Sequence, residues 1–295
     1  MSMFEGFVYV RACLYPEGVV LPAGDAAVSV WDRGFVFGDG VYEVVRAYGG
    51  RWFRMKEHLR RLRRSLEETR IGFDELDVVE KAAGALQRVQ ELEEADGLLY
   101  VQITRGAAPR SHAFPDPPAE PTVLVALTAV PDFSEEVEKG VAVVTREDFR
   151  WHRCDIKTIA LQGNVLALQE AKEAGAKECL FVRDGAATEG SHSNFFGVKD
   201  GVLRTHPADR RILAGITREC VLELAREAGV SAEEAAIGGE ALAGLEEAFL
   251  TATSFEVVPV VQMDGRPIGD GKPGPVTRRL QEAFRECVRR ETGGA

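Results

Sequence analysis

Hydrophobic and polar positions alternate along residues 41–48, VYEVVRAY, and a period of two is what a strand with one buried face requires. It is the clearest of several short runs rich in Val, Phe and Tyr that fill the first part of the chain between glycine turns. The period then lengthens. Over residues 56–70, Leu59, Leu62 and Leu66 recur on one face while Arg60, Arg63 and Arg64 fall largely off it, which predicts an amphipathic helix, and residues 75–93 repeat the pattern less cleanly. Strand character returns at 97–104 (GLLYVQIT) and 122–130 (TVLVALTAV). Between these two lies RGAAPRSHAFPDPPAEP, a proline-rich loop too long to be a mere connector.

The turn-forming Pro131-Asp132-Phe133-Ser134 interrupts the pattern, which restarts with a strand at 141–145. Helical spacing then marks 164–174, 216–228 and 275–290; strand runs include 178–183 and 195–199, followed by Asp-Gly turns at 184–185 and 200–201. These elements predict an α+β or α/β fold in two domains, a smaller one over 1–130 and a larger one over 131–295, with a site at the domain interface. No internal repeat is visible.

Composition narrows the choice of partner more than that of fold. Of the 295 residues, 45% are hydrophobic and 28% charged, ordinary for a globular protein, but the formal net charge is -11. Such a surface repels phosphate backbones, so nucleic acid is not expected as a partner. No apolar run approaches the roughly 20 residues that span a bilayer, and the start MSMFEGFVYV lacks a basic region followed by a long apolar one. Five scattered cysteines without a C-x-x-C pair read as reduced thiols. A cytoplasmic protein acting on small molecules, without a membrane, is the expectation.

Most motif-borne chemistries are absent: there is no H-E-x-x-H, no Walker loop, no G-x-G-x-x-G and no G-x-S-x-G elbow. The five histidines are too dispersed to predict a metal site. What remains is a lysine ending RWHRCDIK (150–157), a glutamate in the polar turn Thr188-Glu189-Gly190-Ser191, and Gly215-Ile216-Thr217 at the start of a predicted helix. Unpaired N–H groups at such a start, with the Thr217 hydroxyl, offer a cup for an anion. Together they are an amine, a carboxylate and an anion site; taken singly, most lysines are solvated and most turn glutamates are caps.

The combination resembles a known family. DRGFVFGDGVYEVV (32–45), EHLRRL (57–62), QITRGAAPRSHAFP (102–115), RWHRCDIK (150–157), TEGSHSN (188–194), THPADRRILAGITRE (205–219) and TATSFE (251–256) are similar, in this order, to segments of the fold-type IV pyridoxal-phosphate enzymes, the class IV aminotransferases. Within that family they look most like the D-amino-acid aminotransferases, and Pro109-Arg110-Ser111-His112 is the most specific of these stretches. The resemblance implies pyridoxal 5'-phosphate as cofactor, held as a Schiff base by Lys157 in the C-terminal domain, with Glu189 facing the pyridine nitrogen. It implies a phosphate site of Arg61, Ile216, Thr217 and Thr253, and a trap for the substrate carboxylate of Tyr42, Arg110 and His112. It also implies a homodimer, since in the family the Arg110 loop reaches a partner's site.

Three positions depart from the family pattern: His192 stands in a serine run, Ala252 replaces a serine, and Phe255 occupies a place that is often small and polar. The expected activity is a ping-pong transfer of the amino group between D-amino acids, such as D-alanine and D-glutamate, and 2-oxo acids, such as 2-oxoglutarate and pyruvate. A branched-chain L-aminotransferase or an aminodeoxychorismate lyase would share Lys157, Glu189 and the phosphate residues, and a cofactor-free binding protein could keep the fold. The Arg110 loop separates the first two from the D-specific reading; the intact lysine and glutamate speak against the third.

Overall fold

The computed structural model describes residues 6–293. Its contacts divide the chain into two units. One comprises the chain through Val130, Ile156–Ala160 and the end from Glu291; the other comprises Pro131–Asp155 and Leu161–Arg290.

The first unit runs β1 (Phe7–Ala12), β2 (Tyr15–Pro22), α1 (Arg33–Phe37), β3 (Gly40–Tyr48), β4 (Arg51–Trp52), α2 (Met55–Thr69), α3 (Asp77–Val89), β5 (Gly97–Thr104) and β6 (Thr122–Thr128). Its six strands form an antiparallel sheet in the order β2-β1-β6-β5-β3-β4. Val41, Val45, Leu99, Val101, Ile103, Val123 and Val125 on one face pack against Leu62, Leu66, Val79 and Leu86 of the two helices. The expected leucine stripe of α2 faces the core, with Arg60, Arg63 and Arg64 exposed, but the buried face is wider than the leucines. Its buried residues are Met55, His58, Arg61, Leu62, Ser65 and Leu66, whereas Leu59 is only partly buried. Three polar side chains therefore share the core-facing side of this helix, which is tolerable only where each finds a partner.

The short segment Ile156–Ala160 was expected to sit with the C-terminal domain and instead clusters with the first unit. The reason lies in β3. Its neighbour β4 pairs only with Ala47 and Tyr48, which leaves the Gly40–Tyr42 end with an open edge. Residues 157–159 occupy that edge: Tyr42 N donates to Lys157 O at 3.0 Å, Ile159 N donates to Gly40 O at 3.1 Å, and Val41 bridges to Thr158. Ile156 joins the core cluster below.

The second unit runs α4 (Ser134–Lys139), β7 (Val141–Glu147), α5 (Gln162–Glu173), β8 (Glu178–Arg183), β9 (Ala186–Gly190), β10 (Asn194–Lys199), β11 (Val202–Thr205), α6 (Ile216–Glu227), β12 (Ala232–Glu234), β13 (Ile237–Gly238), α7 (Gly239–Ala243), β14 (Glu247–Ala252), β15 (Glu256–Met263), β16 (Arg266–Pro267) and α8 (Pro275–Thr292). The pairings β10-β14-β15-β7-β8-β9 return to β10 through Asn194 and Glu189, so six strands close into a ring. Closure removes the free edges an open sheet would expose. It also corrects one expectation: Thr188, Glu189 and Gly190 end β9 rather than form a turn, and the turn is Ser191–Ser193.

Candidate active site

In the first unit the site grows out of β3, whose successive side chains point to opposite faces. Glu43 falls on the core side with Val41 and Val45, and Tyr42 on the other. Lys157, fixed by its backbone to Tyr42 and by a bond from its own N–H to Ser65 Oγ at 3.3 Å, places its Nζ 4.4 Å from the Tyr42 ring centroid. Tyr100 flanks Tyr42 at 5.8 Å between ring centroids and donates its hydroxyl to Gln102 Oε1 at 2.7 Å; burial pushes the Tyr100 phenol up to about 12. Tyr100 therefore stays neutral beside Tyr42.

Arg61 is held from behind. Its Nε and Nη2 donate to Glu43 Oε1 and Oε2 at 2.7 and 2.9 Å, and His58 Nδ1 lies 2.9 Å from Oε2. Burial alone would raise the Glu43 carboxyl, but the Arg61 charge and the bonds from Arg61 and His58 outweigh it and hold it well below the usual range. His58 is pushed down by burial, which together with the Arg61 and Lys157 charges outweighs the opposing pull of Glu43. It is thus a neutral imidazole donating through Nδ1, not half of an ion pair. Sequence reasoning had named Arg61 but neither of these partners. The available signal was a glutamate among valines on one strand face, followed by His and Arg three apart on a helix.

Arg110 and His112 lie on an exposed loop whose backbone is nonetheless anchored. Arg33 Nη1 donates to Ser111 O at 2.6 Å and Ala113 O at 3.3 Å, while Arg33 and Arg105 both grip Asp39, each through Nε at 2.8 Å. Burial would raise Asp39, but these two arginines hold it below its ordinary value. Gly106, at φ +92°, starts the loop where a Cβ would come within 1.9 Å of Glu120 O. The ring contacts of Arg110 and His112 are with Phe37, at 5.1 and 5.5 Å, and not with Tyr42. Val30, Trp31 and Phe35 are exposed nearby in sequence to Arg33.

In the second unit the centre is Glu189. Its Oε1 accepts from Arg150 Nη1 at 2.7 Å; its Oε2 accepts from Leu213 N at 2.9 Å and Asn194 Nδ2 at 3.1 Å. Burial pushes Glu189 up to about 7 against the pull of Arg150. Arg150 was part of a quoted motif without any assigned role. Nearby, α6 begins at Gly215 with no side-chain cap, and a Cβ on Gly215 would meet Asn194 Oδ1 at 2.1 Å. An uncapped helix start presents the N–H groups of Ile216 and Thr217 to whatever approaches, and the helix dipole favours an anion there. Thr253 lies in the turn between β14 and β15. Two residues before it, the buried Thr251 hydroxyl has no hydrogen-bond partner, an orphan donor of the kind that a ligand satisfies.

Two of the departures from the family pattern touch one another. The His192 and Phe255 rings meet edge to face at 5.8 Å, and His192 Nδ1 lies 2.8 Å from Glu178 Oε2. Burial would raise the Glu178 carboxyl, but His192 together with bonds from Ser191 and Ser193 brings it to about 2. Nothing in the structure explains Ala252.

The chain that carries these residues is similar to proteins of known activity. The Amino-transferase class IV profile matches residues 40–263. A D-alanine aminotransferase of Staphylococcus epidermidis is 42% identical over 276 residues, 93% of this chain and 97% of that relative. A D-alanine aminotransferase of Bacillus licheniformis is 41% identical over 277 residues, 94% and 97% of the two chains. Among solved structures, the branched-chain amino acid aminotransferase of Escherichia coli superposes with a TM-score of 0.87 at 27% identity, covering 99% of this chain and 96% of that one. The branched-chain aminotransferase of the thermophilic archaeon Thermoproteus uzoniensis, solved with norvaline, gives 0.85 at 26% identity, covering 98% and 95%.

Proposed function

The chain belongs to the class IV aminotransferases, and from that membership we propose that it is a D-amino-acid transaminase working with pyridoxal 5'-phosphate. It would move the amino group between D-amino acids, D-alanine and D-glutamate among them, and 2-oxo acids such as 2-oxoglutarate and pyruvate. One observation carries the reading: identity to the D-alanine aminotransferases is 42% over 93% of the chain, against 27% for the E. coli branched-chain enzyme of the same fold. The names of the solved neighbours keep a branched-chain L-aminotransferase as the second reading.

The residues present fit the cofactor. The uncapped start of α6 with the Thr217 hydroxyl, Thr253 and the orphan Thr251 hydroxyl suits a phosphate group, and Arg61, oriented by Glu43, is a guanidinium suited to the same charge. When bound, the cofactor supplies an electron sink for the charge released at the substrate Cα. Lys157 Nζ is the covalent anchor and, once released, the base that takes the Cα proton and returns it. Glu189 holds a proton at the pyridine nitrogen. Tyr42, Arg110 and His112 grip the substrate carboxylate, which leaves one enantiomer able to aim its Cα–H at the lysine.

A homodimer belongs to the same proposal, supported by the exposed side chains of Val28, Val30, Trp31 and Phe35, at 47, 67, 56 and 77%. A cytoplasmic location completes it; among the described residues no helix is long and apolar enough to cross a membrane. The test is a panel of D- and L-amino acids assayed with 2-oxoglutarate and pyruvate as acceptors. D-alanine or D-glutamate should turn over fastest, and faster turnover of L-leucine than of any D-amino acid would replace this reading with the branched-chain one.

A further inference from the structure

A carboxylate that must hold a proton on a neighbouring nitrogen faces a choice between two neutral partners and two charged ones, and burial favours the neutral pair. We propose that Arg150 is the positioning residue that decides this choice, by keeping Glu189 anionic and aimed so that the proton stays on the pyridine nitrogen. The proposal rests on the reading of Glu189 as the partner of that nitrogen.

Arg150 is itself locked. Its Nε and Nη2 form a fork on Asp148 Oδ1 and Oδ2 at 2.9 and 3.0 Å, so the guanidinium plane is set before Nη1 reaches Glu189 at 2.7 Å. The Phe181 ring lies 4.2 Å from the guanidinium carbon and screens that side from water. All three side chains are buried, Arg150 at 6%, Glu189 at 7% and Asp148 at 0% exposure.

The charges around the pair close. Asp148 and Glu189 contribute two negative charges; Arg150 and Arg183, whose Nη2 is 3.0 Å from Asp148 Oδ2, contribute two positive ones. Cys154 adds none, since burial pushes its thiol up to about 11. Without Arg150, Asp148 would keep Arg183, whereas Glu189 would keep only the neutral donors Asn194 and Leu213 N. Glu189 is therefore the group that takes up a proton. Because Arg150 is in direct contact with Glu189, its charge stabilises the anion more than it opposes a cation held beyond that carboxylate.

The holoenzyme, reconstituted with cofactor labelled with 15N at the pyridine nitrogen, reads the proton directly through the nitrogen chemical shift. At pH 8 the unchanged protein should show the protonated position, and Glu189→Gln the unprotonated one. Arg150→Met should move to the unprotonated position, and Arg150→Lys, which keeps the charge but not the fork, should not. An unshifted Arg150→Met, or an Arg150→Lys that shifts as far as Glu189→Gln, overturns the proposal. An unshifted Glu189→Gln would remove the reading beneath it and the proposal together, so the two failures are distinct. If Arg150→Met does not fold, Arg150→Lys decides alone: lysine loses its proton near pH 10.4 and arginine above 12. Its nitrogen signal should then leave the protonated position at lower pH than in the unchanged protein, and coincident titrations would overturn the idea.

Discussion

Glu43→Gln is the perturbation that tests most directly how the first unit holds its arginine. The substitution keeps the shape of the side chain and removes its charge. In the native protein the carboxylate, 1% exposed, accepts two bonds from Arg61 and one from neutral His58. A glutamine offers one oxygen to these three donors and turns an NH2 group toward at least one of them, so an 8% exposed guanidinium loses the Glu43 charge. Removing one partner of a buried pair costs about 3 to 5 kcal/mol, because the remaining charge stays desolvated. That is a large share of the ~5 to 15 kcal/mol that holds a typical domain folded. Urea denaturation at pH 8 should show the midpoint falling with little change in slope. The sign of the pH dependence is fixed as well. Glu43 is depressed in the fold from its ordinary 4.5, so its contribution is complete above 4.5 and fades as pH falls below it, where the unfolded carboxylate begins to protonate. The gap between Glu43→Gln and the parent should therefore narrow in acid. A loss below about 1 kcal/mol at pH 8 would refute the reasoning, since that is the range of a surface pair.

The remaining expectations concern the lysine and the loop. Borohydride reduction after incubation with pyridoxal phosphate, followed by peptide mapping, should place the label on Lys157; label on Lys139 or Lys172 would overturn the assignment. Arg110→Ala should raise KM for D-alanine and D-glutamate, by about 2 to 5 kcal/mol in binding terms if the contact is desolvated in the complex, and should erode the D/L ratio while leaving the bound cofactor's absorbance unchanged; an unaltered KM in steady-state assays sinks the carboxylate trap. Gly106→Ala must place a Cβ at φ +92° and 1.9 Å from Glu120 O, so stability should drop by at least ~1 to 2 kcal/mol and KM should rise as the loop shifts; a thermal melt and KM like the parent's would show that the loop does not need this turn.

How far the sequence could be read depended on the range of the interaction concerned. Periodicity located β3, α2, β5 and β8 because their burial patterns are local. It placed the leucine face of α2 inward, as found, but not the buried His58, Arg61 and Ser65 beside it, which look polar until Glu43 stands opposite them. Thr188-Glu189-Gly190-Ser191 read as a turn for the same reason: its buried Glu189 is matched by Arg150 and Asn194, 39 and 5 residues away. Lys157 was found through its motif, but its pairing with Tyr42 spans more than a hundred residues and leaves no periodic trace. Arg150 left no local pattern for its role, and the glutamate among valines and the histidine three before Arg61 gained theirs only when the backbone brought the strand and helix together.

The return of Ile156–Ala160 to β3 bears on how chimaeras of this family can be made. A crossover after Val130, the natural place to join halves of two relatives, would take the lysine from one parent and the edge it rests on from the other. That junction is sewn by main-chain N–H and C=O groups of Gly40, Tyr42, Lys157 and Ile159, which every parent possesses whatever its side chains. Recombination at this point should thus preserve the placement of the lysine while shuffling the carboxylate grip inherited with the N-terminal half. Expressed alone, however, the 131–295 fragment would carry the lysine with no strand to hold it, so the two halves can be exchanged between parents but not divorced.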